Sequence, residues 1–583
     1  MKSITDKYWK IPCPYIPGDT QKKMAREFGI APEIIHLLAN RGICEDEQLR
    51  KYLYPTLHDL DDPLTMKGMQ EACSIMYRAA VTGGEILIWG DYDVDGVTAT
   101  SLLARFFKML NMRYRWFIPD RFTDGYGLNT RHIQRLVEEI SPEKMVLVTV
   151  DCGIANLEEV LFAKKLGCQV IITDHHEPGD KAVSADAILN PKQRNCEFAN
   201  KHLAGVGIAF YLAMGMRAFF KEQGYFKGKN NIPNIKDLLE LVAIGTIADM
   251  ASLQGGNRVL VKAGFEVINT SPSPGVAALL TASDIHSANI TAEDIAFQLA
   301  TKINAAGRLD QASKAVALFL TDDPRQAELQ AKKLTVLNQK RKDQCSECLE
   351  LTLSMIPEPP YDSLSCTLLR VEHSIGVLGI VASQIVEKTQ RPAILVADAE
   401  DRKWGTVLKG SARSISGVNI YELLSKCSDL LLQYGGHPMA AGITMRPEKL
   451  GELEKRLSQE IAGICQSPPE AAPIDLEMDL EHVLQRSMIE QLQLLEPFGI
   501  GNEKPLFLDK KIILQDIKLI GKNGDHLRLT KRGRFENKPC IAFKFGRFVD
   551  TLRQRPHFDM IYTFSLSRFR KAEQWQGRLV DLL

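Results

Sequence analysis

Between residues 75 and 250 the sequence alternates short β-branched apolar runs with longer helix-like stretches, and this alternation restricts the fold more than any other feature. The runs are Glu85 to Trp89 (EILIW), Met145 to Val150 (MVLVTV) and Gln169 to Thr173 (QVIIT), with segments of 15 or more residues between them. Continuous apolar strands joined by helical crossovers predict an α/β fold on a parallel sheet covered on both faces. Such sheets bind ligands beyond the carboxyl ends of their strands.

Those ends are acidic. Asp91, Asp93 and Asp95 follow the first run, Asp151 the second, and Asp174, His175 and His176 the third. A later apolar helix, Leu238 to Ile247, runs into Asp249 and brings another carboxylate to the same rim. A single aspartate after a strand is an ordinary turn former or helix cap. Acids after three successive strands, with two adjacent histidines, point to a shared site. Clustered acids need a cation: two divalent ions about 4 Å apart repel by roughly 16 kcal/mol at an effective dielectric of about 20. Asp93, Asp95, Asp151 and Asp249 supply four charges against four. Carboxylates plus imidazole, without thiolate, favour Mn2+ or Mg2+, and imidazole tilts the choice toward Mn2+. A pair of such ions suits in-line displacement at phosphorus, so phosphoester hydrolysis is the expected chemistry.

A chain of 583 residues is too long for one core, and three or four domains are expected. Its 45% hydrophobic and 25% charged residues are those of a folding globular chain. The twelve cysteines are scattered except for Cys345 and Cys348, which argues against a disulfide framework or zinc ribbon and fits a reducing cytoplasm. The N-terminus, MKSITDKYWK, has no apolar core of signal-peptide length, and no run of about 18 apolar residues occurs. Net charge is zero, against wholesale coating of nucleic acid, yet Gly501 to Leu583 holds 18 Lys+Arg against 9 Asp+Glu.

Proline-rich breaks at 356–360 (IPEPP) and 466–473 (QSPPEAAP) mark linkers. Before the first, a helix is expected from Arg325 to Met355, with Asp323 as N-cap and Pro324 at the first helical position; it would span roughly 45 Å. The expected layout is an N-terminal segment (1–75) packing on a catalytic domain (76–323), the connecting helix (324–355), a second smaller α/β domain (356–465), and a linker with a basic β-barrel module (466–583).

In the second domain, a strand over Lys409 to Ile415 would put Lys409, Ser411 and Arg413 on one face, as phosphate donors or as a solvated edge. Gly435 and Gly436 would let the backbone approach an anion beside the donor His437, or would form a plain turn. Asn304 and Arg308 share a helix side and would reach a phosphate, or Arg308 would pair with an acid at the domain seam. Phe535, Phe543, Phe545, Tyr562, Phe564 and Phe569, interleaved with basic residues, suit an OB-like barrel, two or three of them as exposed stacking platforms.

DYDVDG (Asp91 to Gly96), VDCG (Val150 to Gly153), TDHH (Thr173 to His176) and GTIAD (Gly245 to Asp249) resemble, in order, the four motifs of the DHH phosphoesterase superfamily. Within it the chain resembles the RecJ exonuclease family, through IPDRFTDGYGLN (118–129), INAAGRL (303–309), GVLGIVAS (376–383), KGSARSI (409–415), YGGHPMAAG (434–442) and LEPFGIGN (495–502). The resemblance implies DHH, DHHA1 and OB-like domains. It also implies a 5′-to-3′ exonuclease that degrades single-stranded DNA to mononucleotides with two Mn2+ or Mg2+ ions, in recombination and repair. Helicase and single-strand-binding partners are implied with it. By position, Asp93, Asp95, Asp151, His175 and Asp249 would be metal ligands, Asp151 a bridge, His176 would face the scissile phosphate, and Asp91 would support the site or ligate. Ser383 would join the DNA contacts. Trp89 stands where many superfamily members outside RecJ carry histidine, and Lys302 and Gln384 where RecJ sequences usually carry arginine. Two other readings stay open: a phosphodiesterase of short oligonucleotides or cyclic dinucleotides, and a non-catalytic single-strand-binding scaffold.

Overall fold

The computed structural model describes the chain except for residues 1–2, 6, 12–17, 140–144, 180, 229–231, 286–289, 360, 362–363, 402, 463–470, 522, 556 and 570–571. Pro360 of the first proline-rich break and residues 466–470 of the second therefore lie outside the described residues. Five parallel strands build the catalytic sheet, in the order Arg113–Phe117, Glu85–Trp89, Met145–Val150, Gln169–Thr173, Ala187–Leu189. Successive side chains face opposite sides. Ile86, Ile88, Val146 and Val148 pack under helices Val94–Met109, Gly205–Glu222 and Leu239–Ala248. Leu87, Trp89, Leu147 and Val170 pack under Thr130–Glu138 and Leu157–Lys165. Both faces are covered, and the acid-bearing ends share one rim.

The long helix runs Pro324–Ser354, with the Asp323 side chain accepting from the Arg325 N–H. Ala327, Ala331 and Leu334 sit in the catalytic core, whereas Cys345 and Cys348 sit in that of the second domain beside Val377, Val381 and Leu395. The helix thus belongs to two cores, and the cysteine pair packs as apolar side chains. The second domain's sheet has the order Leu431–His437, Ala440–Met445, Gly405–Arg413, Ala393–Asp401, Thr367–Arg370. Helix Ile375–Thr389 covers one face, and helices Ile420–Lys426 and Leu450–Ala462 cover the other. The C-terminal module is one mixed seven-stranded sheet. No described helix is long and apolar enough to cross a membrane.

The N-terminal segment departs from expectation. Met24, Ile34, Leu37, Leu49 and Leu53 share a core with Leu476, Leu492, Phe507 and Tyr562 of the C-terminal module, not with the catalytic domain. Strand Trp9–Lys10 pairs with Ala472–Pro473, Trp9 Nε1 donates to Asp581 at 2.9 Å, and the Arg41 guanidinium meets Asp475 at 2.9 Å. Packing on the catalytic core begins at Leu57 and Leu60 and continues through Met66 and helix Met69–Thr82. An amphipathic stripe declares that it must be covered but does not say by what. Here the cover is more than 400 residues away in sequence.

Two cations dock this composite body on the catalytic domain. Arg258, 3% exposed, donates to the carbonyls of Tyr52 (2.9 Å), Leu495 (3.0 Å) and Leu494 (3.1 Å) and lies 3.9 Å from the Tyr52 ring centroid. Lys262 Nζ donates to the carbonyls of Leu53 (2.7 Å) and Leu494 (3.1 Å), and burial pushes its pKa down to about 7. Asn502 completes the seam, its amide donating to Leu495 O and Pro497 O while the Tyr52 hydroxyl donates to its Oδ1. On the other side of the module, Lys544 forms an exposed ion pair with Glu387 of the second domain. Arg258→Ala removes three charge-assisted bonds and leaves buried carbonyls unpaired, a loss of about 3 kcal/mol or more. The expected result is a lower thermal midpoint and faster proteolytic release of the C-terminal module; an unchanged midpoint and cleavage pattern would place the docking energy elsewhere.

Candidate metal centre

The loop after strand Glu85–Trp89 is tight because the following helix starts inside it. Asp93 is the N-cap of Val94–Met109, its Oδ1 accepting from the Gly96 N–H at 3.0 Å. A Cβ on Gly96 would meet the Asp91 carbonyl oxygen at 2.5 Å, so the motif closes on the one residue that fits. Asp95 is held from across the sheet: its oxygens accept the N–H groups of Gly205 (2.6 Å) and Val206 (2.8 Å), at the positive end of helix Gly205–Glu222. A Cβ on Gly205 would lie 2.7 Å from that of Asp151. Asp151 itself takes a left-handed backbone, φ +60°, an uncommon conformation for a residue other than glycine. Asp249 caps the carboxyl end of helix Leu239–Ala248.

All seven expected catalytic residues meet at this rim. Ligand atoms of Asp151, His175 and His176 lie within 4.8 Å of one another, as do those of Asp95, His175 and Asp249, and those of Asp91, Asp93 and Asp151. Asp151 and His175 each belong to two triads. His175 Nε2 stands 3.1 Å from Asp151 Oδ1, and its Nδ1 stands 3.7 Å from Asp249 Oδ2. The buried Oδ1 atoms of Asp91 and Asp151 have no hydrogen-bond partner, so the nearby imidazole is close to Asp151 without being aimed at it. Burial, then the charge of Asp93, raises the pKa of Asp95 to about 7; burial, then Asp95 and Asp93, raises Asp249 to about 9. Burial and neighbouring carboxylates hold Asp91 and Asp151 far above their ordinary range. Burial pushes His175 down to about 4. Without cations these carboxyls resist ionising, and orphaned oxygens with neutral imidazole are what hard divalent ions complete. Burial keeps the thiol of adjacent Cys152 protonated, so the donor set is oxygen and nitrogen.

Two contributors escaped the sequence reading. Asp174 accepts from the ring Nδ1–H (2.8 Å) and backbone N–H (3.1 Å) of His176 and from the Ile154 N–H (2.9 Å). Burial alone would lower the His176 pKa, but the Asp174 bond and charge outweigh it and raise it. The Tyr126 hydroxyl donates to the Asp151 carbonyl at 3.1 Å and lies 3.2 Å from His176 Nδ1. Asp174 stood in plain view at a strand end, but a carboxylate that orients a histidine has the same sequence signature as one that binds an ion. Trp89 is structural: its ring is buried against Phe117 and its Nε1 donates to the Gly127 carbonyl at 3.1 Å. Lys302 is buried, bonded to Ser283 Oγ and Gln298 O.

Arginines gather beside the acids. A Cβ on Gly307 would lie 2.5 Å from the carbonyl oxygen of Tyr92, between Asp91 and Asp93, so helix Ala300–Leu309, which carries Asn304 and Arg308, packs directly against the acidic loop. Arg308 donates to the Gly376 carbonyl at 3.2 Å across the domain seam, and pairs there with backbone, not with an acid. Burial and the like charges of Arg121, Arg341 and Arg413 push its pKa down to about 10. Arg121 lies 5.1 Å from the Tyr92 ring centroid. Gly379 makes room for the others, since a Cβ there would meet Arg413 at 2.8 Å and Ser411 Oγ at 3.2 Å.

Strand Gly405–Arg413 is interior to its sheet, not an edge, and does alternate as expected. Lys409, however, is paired with Asp401 at 2.9 Å, whereas Arg413 donates to the Ala412 carbonyl at 2.8 Å, which leaves its charge unneutralised by that contact. Gly435, Gly436 and His437 form part of the edge strand, not a turn. In register, Gly435 lines up with Gly442 and Ser411, and His437 with Ala440 and Arg413. Two strand spacings, about 10 Å, separate the ends of each row, floored by small residues. Ser383 is exposed on helix Ile375–Thr389, one turn beyond Gly379. In the C-terminal module Phe545, Tyr562 and Phe564 are core, Phe535 (85%) and Phe543 (44%) are exposed, and the side chain of Phe569 lies outside the described residues.

Comparison with known proteins agrees with this geometry. Residues 85–246 match the model of the DHH family N-terminal domain, 367–463 that of the DHHA1 domain, and 474–581 that of the RecJ OB domain. The chain is 35% identical over 578 residues to the single-stranded-DNA-specific exonuclease RecJ of Bacillus subtilis, covering 98% of this chain and 70% of that one. It is 35% identical over 520 residues to RecJ of Escherichia coli, 86% of each chain. The crystal structure of Thermus thermophilus RecJ in complex with Mn2+ superposes with a TM-score of 0.81 at 29% identity, over 99% of this chain and 79% of that one. The chain belongs to the RecJ family of single-stranded-DNA-specific exonucleases.

Proposed function

We propose that this chain is a metal-dependent exonuclease that hydrolyses single-stranded DNA from a 5′ end, releasing mononucleotides. The observation that carries it is the juxtaposition at Tyr92: a buried carboxylate cage on one side, and arginines not neutralised by acids on the other. Asp93, Asp95, Asp151, His175 and Asp249 would hold two Mn2+ or Mg2+ ions, with Asp91 and His176 in reach of the same site. Bound there, such ions supply Lewis-acid charge at the phosphate and lower the pKa of the attacking water. The chain's own residues do the rest. Asp174 fixes the His176 ring and keeps its proton, so the imidazole can face the phosphate as a donor. Arg308, Arg413 and Arg121 would seat the terminal phosphate, and Ser411 and the shelf of Gly435, Gly436 and His437 would carry the backbone beyond it. Phe535 and Phe543 offer stacking platforms on the OB module. A helicase or a single-strand-binding protein would supply strands of this kind, and we place the reaction in the cytoplasm.

Incubating the protein with 5′-labelled single-stranded or duplex DNA, with and without Mn2+, tests this: labelled mononucleotide should appear at once, from single strands only and with metal only. Asp151→Ala should leave no turnover above the metal-free background, and Asp174→Asn should lower kcat about 10- to 100-fold while single-strand affinity holds. Normal turnover in Asp151→Ala would end the proposal. For DNA binding, Arg413→Ala should lower the slope of log K against log salt by about 0.7, one phosphate contact on a single strand, and Lys409→Ala should change it less because Asp401 already pairs with that lysine.

Metal and pH are linked. Asp95 and Asp249 titrate near 7 and near 9 when folded and metal-free, against 3.8 for a free aspartate. At these two carboxyls the folded chain therefore binds more protons than the unfolded one, and their contribution to metal-free stability falls as pH rises from about 4 to 9, while His175, held down to about 4, opposes this only below about 6.5. Cations replace those protons, so the rise in thermal midpoint on replacing EDTA by Mn2+ should be larger at pH 8.5 than at pH 5.5. Equal shifts at both would place the ions away from these acids.

A further inference from the structure

The helix that carries Asn304 and Arg308 extends outward from the arginine cluster. Upstream of Ala300–Leu309 it continues through one turn of π-helix, Ile295–Leu299, and the short helix Ala292–Asp294. At that outer end Glu293 lies 3.8 Å from Lys504 and 3.6 Å from Arg578 of the OB module. The segment thus runs from the OB module to the loop of Asp91 and Asp93. Along it Ile295, Leu299, Ala300, Ile303 and Ala306 are buried, and an accessible stripe is left at Phe297, Thr301, Asn304 and Arg308, spaced i, i+4, i+7, i+11. Eleven residues at 1.5 Å each make the stripe about 16 Å long, the reach of a few nucleotides. Phe297 is 74% exposed, the largest exposure of any described aromatic ring except Phe535. Exposing a phenylalanine forgoes roughly 1.5–3 kcal/mol of burial, and the π-turn shifts the helix register where this ring leaves the core; single π-turns gather at functional sites.

We propose that Phe297 is a stacking platform for a nucleobase of the strand still to be cleaved, the outer end of a stripe along which Thr301 and Asn304 lead the backbone to Arg308. The occupant follows from continuity: the inner end of the stripe lies at the arginines and the acidic loop, the outer end at a basic module with exposed rings, and a flat π-face between them suits bases of any identity. The inference rests on the exonuclease reading, and its substrate is single-stranded DNA.

The test measures steady-state kinetics of the wild type, Phe297→Ala and Phe297→Tyr on intact strands and on strands with one abasic site moved along successive positions. Phe297→Ala should raise KM about tenfold with kcat unchanged, the effect of one lost base–aromatic stack, and Phe297→Tyr should restore it. At one abasic position the wild type should show the raised KM, and Phe297→Ala should be indifferent to the change. A wild-type KM in Phe297→Ala, or equal losses on intact and abasic strands at every position, would overturn the assignment. Should the wild type leave single strands intact, the exonuclease reading fails separately, and equilibrium binding of the same oligonucleotides to wild type and Phe297→Ala still decides the role of Phe297.

Discussion

The structure is organised around a repulsion. Asp91, Asp95 and Asp151 are buried together, and the two with unpartnered oxygens have no internal means of relief. Few folds can bring so many like charges into a dry space, because each must be delivered by a rigid element that cannot recoil. Here strand ends deliver Asp91 and Asp151, a helix cap fixes Asp93, a second helix's positive pole clasps Asp95, and a third helix ends at Asp249. The glycines at 96 and 205 matter for the same reason: they let backbones approach where a methyl group would force the carboxylates apart.

The seams between bodies hold ion pairs, Lys544 with Glu387 and Lys504 and Arg578 with Glu293, but three other cations there follow a complementary rule. Arg258, Lys262 and Arg308 all cross from one body to another, and each donates to main-chain carbonyls rather than to an acid. A carbonyl fixes a cation without cancelling its charge. At the Arg258 seam this yields a dry, directional joint. At the Arg308 seam it leaves positive potential beside the loop that carries Asp91 and Asp93, which suits a polyanion with a reactive phosphate. One arrangement serves docking at one seam and, in the function proposed above, substrate binding at the other.

Much of this was legible in the sequence for physical reasons. Strands buried on both faces read as unbroken apolar runs, so Met145–Val150 and Gln169–Thr173 were plain, as was the capped helix after Asp323. Strand Arg113–Phe117 was not, because an edge strand alternating arginine with aromatics has no continuous apolar run, and Ala187–Leu189 is too short to carry a pattern. The acidic cage was readable because its members follow the ends of three strands and one helix. Tyr126 and Asp174 were not, because their roles depend on what lies across from them, a backbone carbonyl and a histidine ring, and the exposure of Phe297 depends on the helix register around it. The partner of the N-terminal helices was hidden for the same reason.

That shared core has a consequence for biosynthesis. Met24, Ile34, Leu37 and Leu53 leave the ribosome long before Leu476, Leu492 and Phe507, which shelter them. About 420 residues separate Leu53 from Leu476, an interval of roughly 20–80 s at 5–20 residues per second. During that time the catalytic domain can complete its own sheet and helices, while the leading segment, lacking its cover, waits as a sticky amphipathic tail. The nascent chain is therefore exposed to aggregation and chaperone capture at this segment until Leu476 to Tyr562 have been made and can cover it.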